Sequence, residues 1–234
     1  MRVIAGSAGG IRLAVPKRGV RPTMDRVKAA IFSSLGDGVV RARVLDLFAG
    51  SGALGIEALS RGASSVVFVE EDRQSAQIIE SNLASTKLKG RVRQQDVFDF
   101  LRHASGAEMF DVIFADPPYE KTKAGERFTE KLLANEVLSQ LLDPDGIFVL
   151  EKQPAEVLPE IKIWRLLRKK KYGATEVLFL SVSRGISRKH PRMDTNQCEV
   201  PQAFKAASSR RTPKRLRREK SAVHNLQLND SLYL

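Results

Sequence analysis

Asp116-Pro117-Pro118-Tyr119 is the stretch of this sequence whose residue types and order most directly imply a reaction. Consecutive prolines stop a strand and hold the chain extended, which keeps the Pro117 carbonyl beside the Asp116 carboxylate. Two acceptors then converge on one point. An exocyclic amino group on a planar base is a poor nucleophile, because its lone pair is delocalised into the ring. Accepting both of its N–H bonds favours pyramidalisation and aims the lone pair at a methyl donor, which is catalysis by orientation and electrostatics. Tyr119 can stack on an extruded base and hold its plane. Asp116, Pro117 and Tyr119 are therefore the expected catalytic residues, with Pro118 and Tyr119 against the substrate. The bland alternative is a turn whose aspartate caps a helix. The position directly after the apolar run Phe110–Ala115 favours the chemical reading.

A second constellation lies upstream. Gly50-Ser51-Gly52-Ala53-Leu54-Gly55 fits G-x-G-x-x-G, with an apolar run before it and a helical pattern after it. Glu70 follows Gly50 by 20 residues and ends the next apolar run, where a carboxylate can accept from both hydroxyls of a ribose. NAD and S-adenosylmethionine both use this arrangement. Asp46, expected inside the cleft, would repel a pyrophosphate and attract a sulfonium with an amino group. The middle of the chain offers no hydride-transfer partner. S-adenosylmethionine is the expected cofactor.

These residues need a scaffold that brings run ends together. Buried-strand runs occur at Arg43–Phe48, Ser65–Glu70, Val92–Gln94, Phe110–Ala115 and Gly146–Leu150. Helical spacing occupies Ala53–Arg61, the stretch holding Ala76, Ile79 and Leu83, and about Arg127 to Leu141. Ile163–Lys170 and Thr175–Ser183 read as a closing hairpin that adds an antiparallel strand at one edge. Strands alternating with helices predict an α/β fold with a mostly parallel sheet covered on both faces. Ligands then bind beyond the carboxyl ends of the strands.

The chain has 234 residues, a formal net charge of +12 and 42% hydrophobic residues, enough for a core. The charge sits at the ends. Residues 1–28 carry +6, residues 187–234 carry +7, and the middle is near neutral at −1. Val3–Gly6 and Ile11–Val15 read as a small hairpin, and Thr23 as a helix N-cap. Arg12, Lys17, Arg18 and Arg21 can neutralise phosphates without reading sequence. The expected organisation is a basic N-terminal hairpin extension (1–22), a catalytic domain (23–184) and a basic, disordered tail (185–234). Arg168–Lys171 is a second candidate for phosphate contact, and a charged edge hairpin that deters strand pairing explains it almost as well. Cys198 is a lone cysteine, and His103, His190 and His224 lie far apart, so no metal site is expected. The apolar runs are too short to span a membrane and no signal segment begins the chain, which predicts a cytoplasmic monomer.

Asp46–Gly55, Glu70 and Asp116–Tyr119 together resemble amino-group methyltransferases acting on nucleic acid. Arg21–Val27, Glu57–Ala63 and Lys171–Gly173 narrow the resemblance to the bacterial 16S rRNA (guanine(966)-N(2))-methyltransferase family, over about Met1 to Ser183. The resemblance implies a Rossmann-like class I methyltransferase fold with a seven-stranded sheet, and methylation of the 2-amino group of guanine 966. It places Phe48, Ala49, Gly50, Ser51 and Gly52 around the cofactor with Asp46, Glu70 and Asp116. Asp96, followed by Val97, would accept from the adenine amino group. The implied partner is 16S rRNA or the assembling 30S subunit. Adenine-N6 or cytosine-N4 methylation remains open, because Asp-Pro-Pro-Tyr selects an amino group and not a base. A catalytically silent RNA-binding assembly factor is the non-enzyme alternative.

Overall fold

The computed structural model describes residues 1–16, 24–104, 108–118, 127–154, 156, 158 and 162–183. Tyr119, Lys17, Arg18, Arg21, Thr23 and the tail from residue 185 lie outside the described residues. Helix α1 (Met24–Leu35) precedes β1 (Arg43–Leu47), α2 (Ala53–Ser60), β2 (Ser65–Glu70), α3 (Arg73–Thr86) and β3 (Arg91–Gln94). Then come α4 (Val97–His103), β4 (Phe110–Ala115), α5 (Phe128–Ala134), α6 (Glu136–Leu141), β5 (Leu142–Lys152), β6 (Trp164–Tyr172) and β7 (Thr175–Val182). None of the described helices is long and apolar enough to cross a membrane.

The seven strands form one sheet in the order β3-β2-β1-β4-β5-β7-β6. The first five are mutually parallel, and β7 is antiparallel to both β5 and β6. The expected hairpin is present at one edge of the sheet, with its second strand inside and its first outermost. Every residue of β7 from Thr175 to Ser181 is buried, whereas Arg165, Leu166, Lys169 and Lys171 of β6 are exposed. The chain therefore spends its apolar strand on the interior and leaves the lysine-rich one as the edge.

Alternate residues of each strand serve opposite cores. Val44, Phe68, Phe114 and Val149 pack with α1, α2 and α3 on one face. Leu45, Val69, Ile113 and Leu150 pack with α4, α5 and α6 on the other. The long helix expected over residues 127–141 is two helices. Asn135 breaks it by capping α6, its Oδ1 accepting from the Leu138 N–H at 2.9 Å. Strand β5 also starts earlier than its apolar run, absorbing Asp143–Gly146 with a register shift against β4.

The N-terminal arms pair through the antiparallel bridge of Arg2 with Arg12, flanked by Val3 N–H to the Ile11 carbonyl at 2.9 Å, Gly10 N–H to the Val3 carbonyl at 2.8 Å and Leu13 N–H to the Met1 carbonyl at 3.1 Å. Backbone groups outside those cross-strand bonds are taken by α2. Ile4 and Ala5 donate their N–H groups to the Glu57 carboxylate at 2.7 and 3.1 Å, and Ser60 Oγ donates to the Ala5 carbonyl at 2.6 Å. Val3, Ala8 and Leu13 join the core on the α1–α3 face. Residues 3–13 thus share in the packing of that face.

Candidate active site

A cavity of about 300 Å³ opens at the carboxyl ends of β1, β2 and β4, within the size range of small-molecule sites. Phe48, Gly50, Glu70, Asp96, Val97, Asp116 and Pro118 line it. The parallel sheet does this work: Leu47 and Ala115, far apart in sequence, end neighbouring strands side by side.

The glycine loop is built by local constraints. Gly50 has φ +56°, and a Cβ there would have no atom nearer than 4.0 Å, so its backbone is open to a ligand. Its N–H donates to Glu70 Oε2 at 2.7 Å, while Glu70 Oε1 accepts from the Asp72 N–H at 2.9 Å. Two backbone bonds thus orient the Glu70 carboxylate, which has about four lone-pair sites and keeps acceptor capacity for a ligand. Gly55 answers a packing need, since a Cβ would stand 2.3 Å from the Phe68 ring. Its N–H donates to Asp46 Oδ2 at 2.8 Å.

That bond decides the place of Asp46. By strand parity it shares the face of Val44, beneath the first turn of α2, and it is 2% exposed. Its carboxylate braces the loop from below, where a cleft-facing acid was expected. Burial, with the charges of Asp116 and Glu70 adding to it against the Gly55 hydrogen bond, pushes its pKa up to about 8. A carboxyl that binds its proton more tightly when folded contributes stability below its unfolded pKa, and that contribution is lost as pH rises toward 8. Asp46→Asn keeps an acceptor for Gly55 and removes the titration. Its melting temperature, followed by calorimetry, is expected to gain on the wild type between pH 4 and 8 and to level off above. A constant difference across that range would contradict the assignment.

Asp96 caps α4, its Oδ1 accepting from the Asp99 N–H at 2.8 Å, and its side chain borders the cavity beside the buried Val97. Phe48, held at φ +54°, sits edge-on to Phe128 and Phe98 at ring-centroid distances of 5.5 and 6.3 Å. Ser51 is buried. Its carbonyl accepts from Asn82 Nδ2 at 2.9 Å. Ala49 donates its N–H to the Val69 carbonyl. Arg12 is exposed on the N-terminal bridge and away from the cavity lining.

Several residues at the site carried no assigned role in the sequence. Asn82 grips both backbone groups of Ala14, at 2.8 and 2.9 Å, as well as the Ser51 carbonyl. It ties the chain before Pro16, a cavity-lining residue, to the glycine loop. An amide one residue from Leu83, on the inward side of α3, was the available signal. Glu57 is fully buried and joins Lys28 at 2.9 Å and Arg61 at 2.7 Å. Asp116 also lines a second, narrower cleft with Lys28, Ile31, Leu54 and Glu151. Asp116 is therefore a wall shared by two cavities.

The strand order, the single antiparallel strand and the glycine loop opposite an aspartate-proline turn define a class: a Rossmann-like class I methyltransferase. Residues 1–181 match the family described as Conserved hypothetical protein 95, and the chain belongs to that family. A Bacillus subtilis protein named "Putative rRNA methyltransferase YlbH" is 42% identical over 182 residues, covering 76% of this chain and 96% of its own length. "Ribosomal RNA small subunit methyltransferase D" of Haemophilus influenzae is 37% identical over 177 residues, covering 74% and 89%. The solved structure titled "Putative methyltransferase yhhF from Escherichia coli" has a TM-score of 0.65 at 33% identity, covering 79% of this chain and 99% of that one.

Proposed function

We propose that this chain transfers a methyl group from S-adenosylmethionine to the exocyclic N2 amino group of a guanine in 16S rRNA, the guanine 966 that its sequence resemblance implies. The observation that carries this reading is the place of Asp116, at the end of β4 and between the cavity and the second cleft. Donor and acceptor can then meet across one carboxylate. Ribosomal RNA as the substrate is supported by the names of the two relatives described above.

The residues present fit the cofactor. Gly50 allows close backbone approach, Glu70 offers acceptors to a ribose, Asp96 offers one to an adenine amino group, and Phe48 supplies an apolar wall. When bound, S-adenosylmethionine supplies an electrophilic methyl carbon on a positively charged sulfur. Asp116 and the Pro117 carbonyl accept the two N–H bonds of the amino group and localise its lone pair toward that carbon. Tyr119 stacks on the base in this reading. Residues 1–22, with Arg12, Lys17, Arg18 and Arg21, dock RNA phosphates. Pro16 at the cavity rim supports this role, because the basic stretch follows it directly. Residues 23–184 are the catalytic domain, and 185–234 a basic arm. The enzyme acts as a cytoplasmic monomer.

The test supplies labelled cofactor with stripped 16S rRNA, assembling 30S particles or duplex DNA, followed by base analysis. N2-methylguanine in the ribosomal RNA is expected. Label in N6-methyladenine or N4-methylcytosine would sink the reading. Glu70→Ala is expected to weaken cofactor binding about 10- to 100-fold by calorimetry, as loss of hydrogen bonds to a charged acceptor does. An unchanged dissociation constant would remove Glu70 from the site.

A further inference from the structure

The second cleft has a donor–acceptor pattern that distinguishes bases. Ala115 of β4 pairs in register with Leu150 of β5, so Asp116 and Glu151 are the next residues on adjacent parallel strands. Strand parity puts both on the face of Phe114 and Val149, toward α1 and α2. Both line the cleft, together with the apolar side chains of Ile31 and Leu54. Lys28 lines it too and is 3% exposed. Its ammonium donates to the Arg2 carbonyl at 2.6 Å and to Glu57 at 2.9 Å, two of its three available bonds.

An ionised carboxylate only accepts hydrogen bonds. A second one beside the acceptor for the amino group therefore needs a second N–H on the base. Among the four RNA bases only guanine has an amino group next to a ring N–H, its N2 beside N1. Adenine and cytosine place a ring nitrogen acceptor beside their amino groups, which would face Glu151 lone pair to lone pair. On the other side of N1, guanine has the O6 acceptor, matching the remaining donor of Lys28.

Resting on the proposed function, we infer that Glu151 is the specificity-determining residue, accepting the N1–H of the target guanine while Asp116 accepts from N2, with Lys28 donating to O6. The amino-group chemistry of Asp116–Pro117 does not choose a base. The carboxylate one strand away does.

The experiment uses small-subunit particles assembled on 16S rRNA carrying either guanine or 2-aminopurine at the acceptor position. The analogue keeps the amino group but has an acceptor at N1 and no O6. Wild-type kcat/KM is expected to favour guanine by about 10- to 100-fold, the discrimination of a well-formed bidentate contact. Glu151→Gln, whose amide can donate to the N1 of 2-aminopurine, should narrow that ratio at least about tenfold with cofactor affinity within about twofold of wild type. Equal use of both bases by the wild type, or an unchanged ratio in Glu151→Gln, would overturn the assignment. If the variant does not fold, the wild-type ratio decides alone. Methylation of adenine or cytosine would instead mean that the underlying function is wrong, whereas N2 methylation without discrimination would overturn only the role of Glu151.

Discussion

Asp116→Ala is expected to lower the turnover of RNA methylation by about 10²- to 10³-fold, the usual cost of removing one preorganised group that stabilises a transition state. Cofactor affinity should change by less than about threefold, because the glycine loop and Glu70 are held by backbone bonds that do not involve Asp116. Single-turnover kinetics and calorimetric binding separate the two quantities. Asp116→Asn retains one oxygen acceptor and should lose less. The substitution has a side effect that identifies it. The charge of Asp116 helps raise the pKa of Asp46, so its removal should make Asp46 easier to ionise and soften the loss of stability toward pH 8. Near-normal turnover in Asp116→Ala would refute the catalytic role.

The second large effect concerns stability. Glu57 accepts from Ile4, Ala5, Lys28 and Arg61, and all four bonds end on a carboxylate with no solvent exposure. Glu57→Ala leaves the Lys28 ammonium buried without its charge partner, a change that costs about 3–5 kcal/mol. For a domain of this size that corresponds to a fall in melting temperature of roughly 10 °C. Burial alone would raise the Glu57 pKa, but the Ile4 N–H and the Lys28 and Arg61 partners overcome it and hold the pKa below the ordinary glutamate value. The sign follows: this stability is present above the unfolded pKa and is lost as pH falls through the lower folded value. Wild-type protein should therefore lose stability steeply in acid, while Glu57→Gln shows a shallower acid limb from a lower starting point. Denaturation at pH 7 and pH 3.5 measures both. Parallel acid limbs would mean that another carboxylate governs the transition. Because Lys28 and Met1 line the second cleft, the same substitution should impair RNA methylation more than cofactor binding.

The parts of the fold visible in the sequence are those set by local pattern. Val66–Val69 and Val112–Ala115 are continuous apolar runs, Val44–Leu47 is one but for Asp46, and a strand buried on both faces reads that way whatever its neighbours. Glycine spacing marked the loop after β1 because positive φ and close packing at Gly50 and Gly55 exclude other residues there. The paired prolines marked the end of β4 for a similarly local reason. Glu70 was placed by counting from Gly50 and lines the cavity.

The side-chain partnerships were not readable in this way. The sequence shows that Asp46 ends a strand, but the turn of α2 above it determines that its oxygen meets the Gly55 N–H. Val3 to Ile11 reads as a hairpin and its cross-strand bonds form, but only the packing of α2 supplies Glu57 and Ser60 to the Ile4, Ala5 and Ala8 N–H groups. The insertion of β7 between β5 and β6 likewise depends on which strand has the more apolar faces to bury.

By itself, then, the sequence determined the alternating α/β architecture, the glycine loop and the strand end at Asp116-Pro117, because each rests on backbone geometry within a few residues. Only the tertiary structure decided that Asp116 divides two cavities, that Glu151 lies beside it, and that the basic N-terminal segment is latched to α2. Those relations join residues 29 or more positions apart through strand register and buried charge, and neither is set until the sheet has formed.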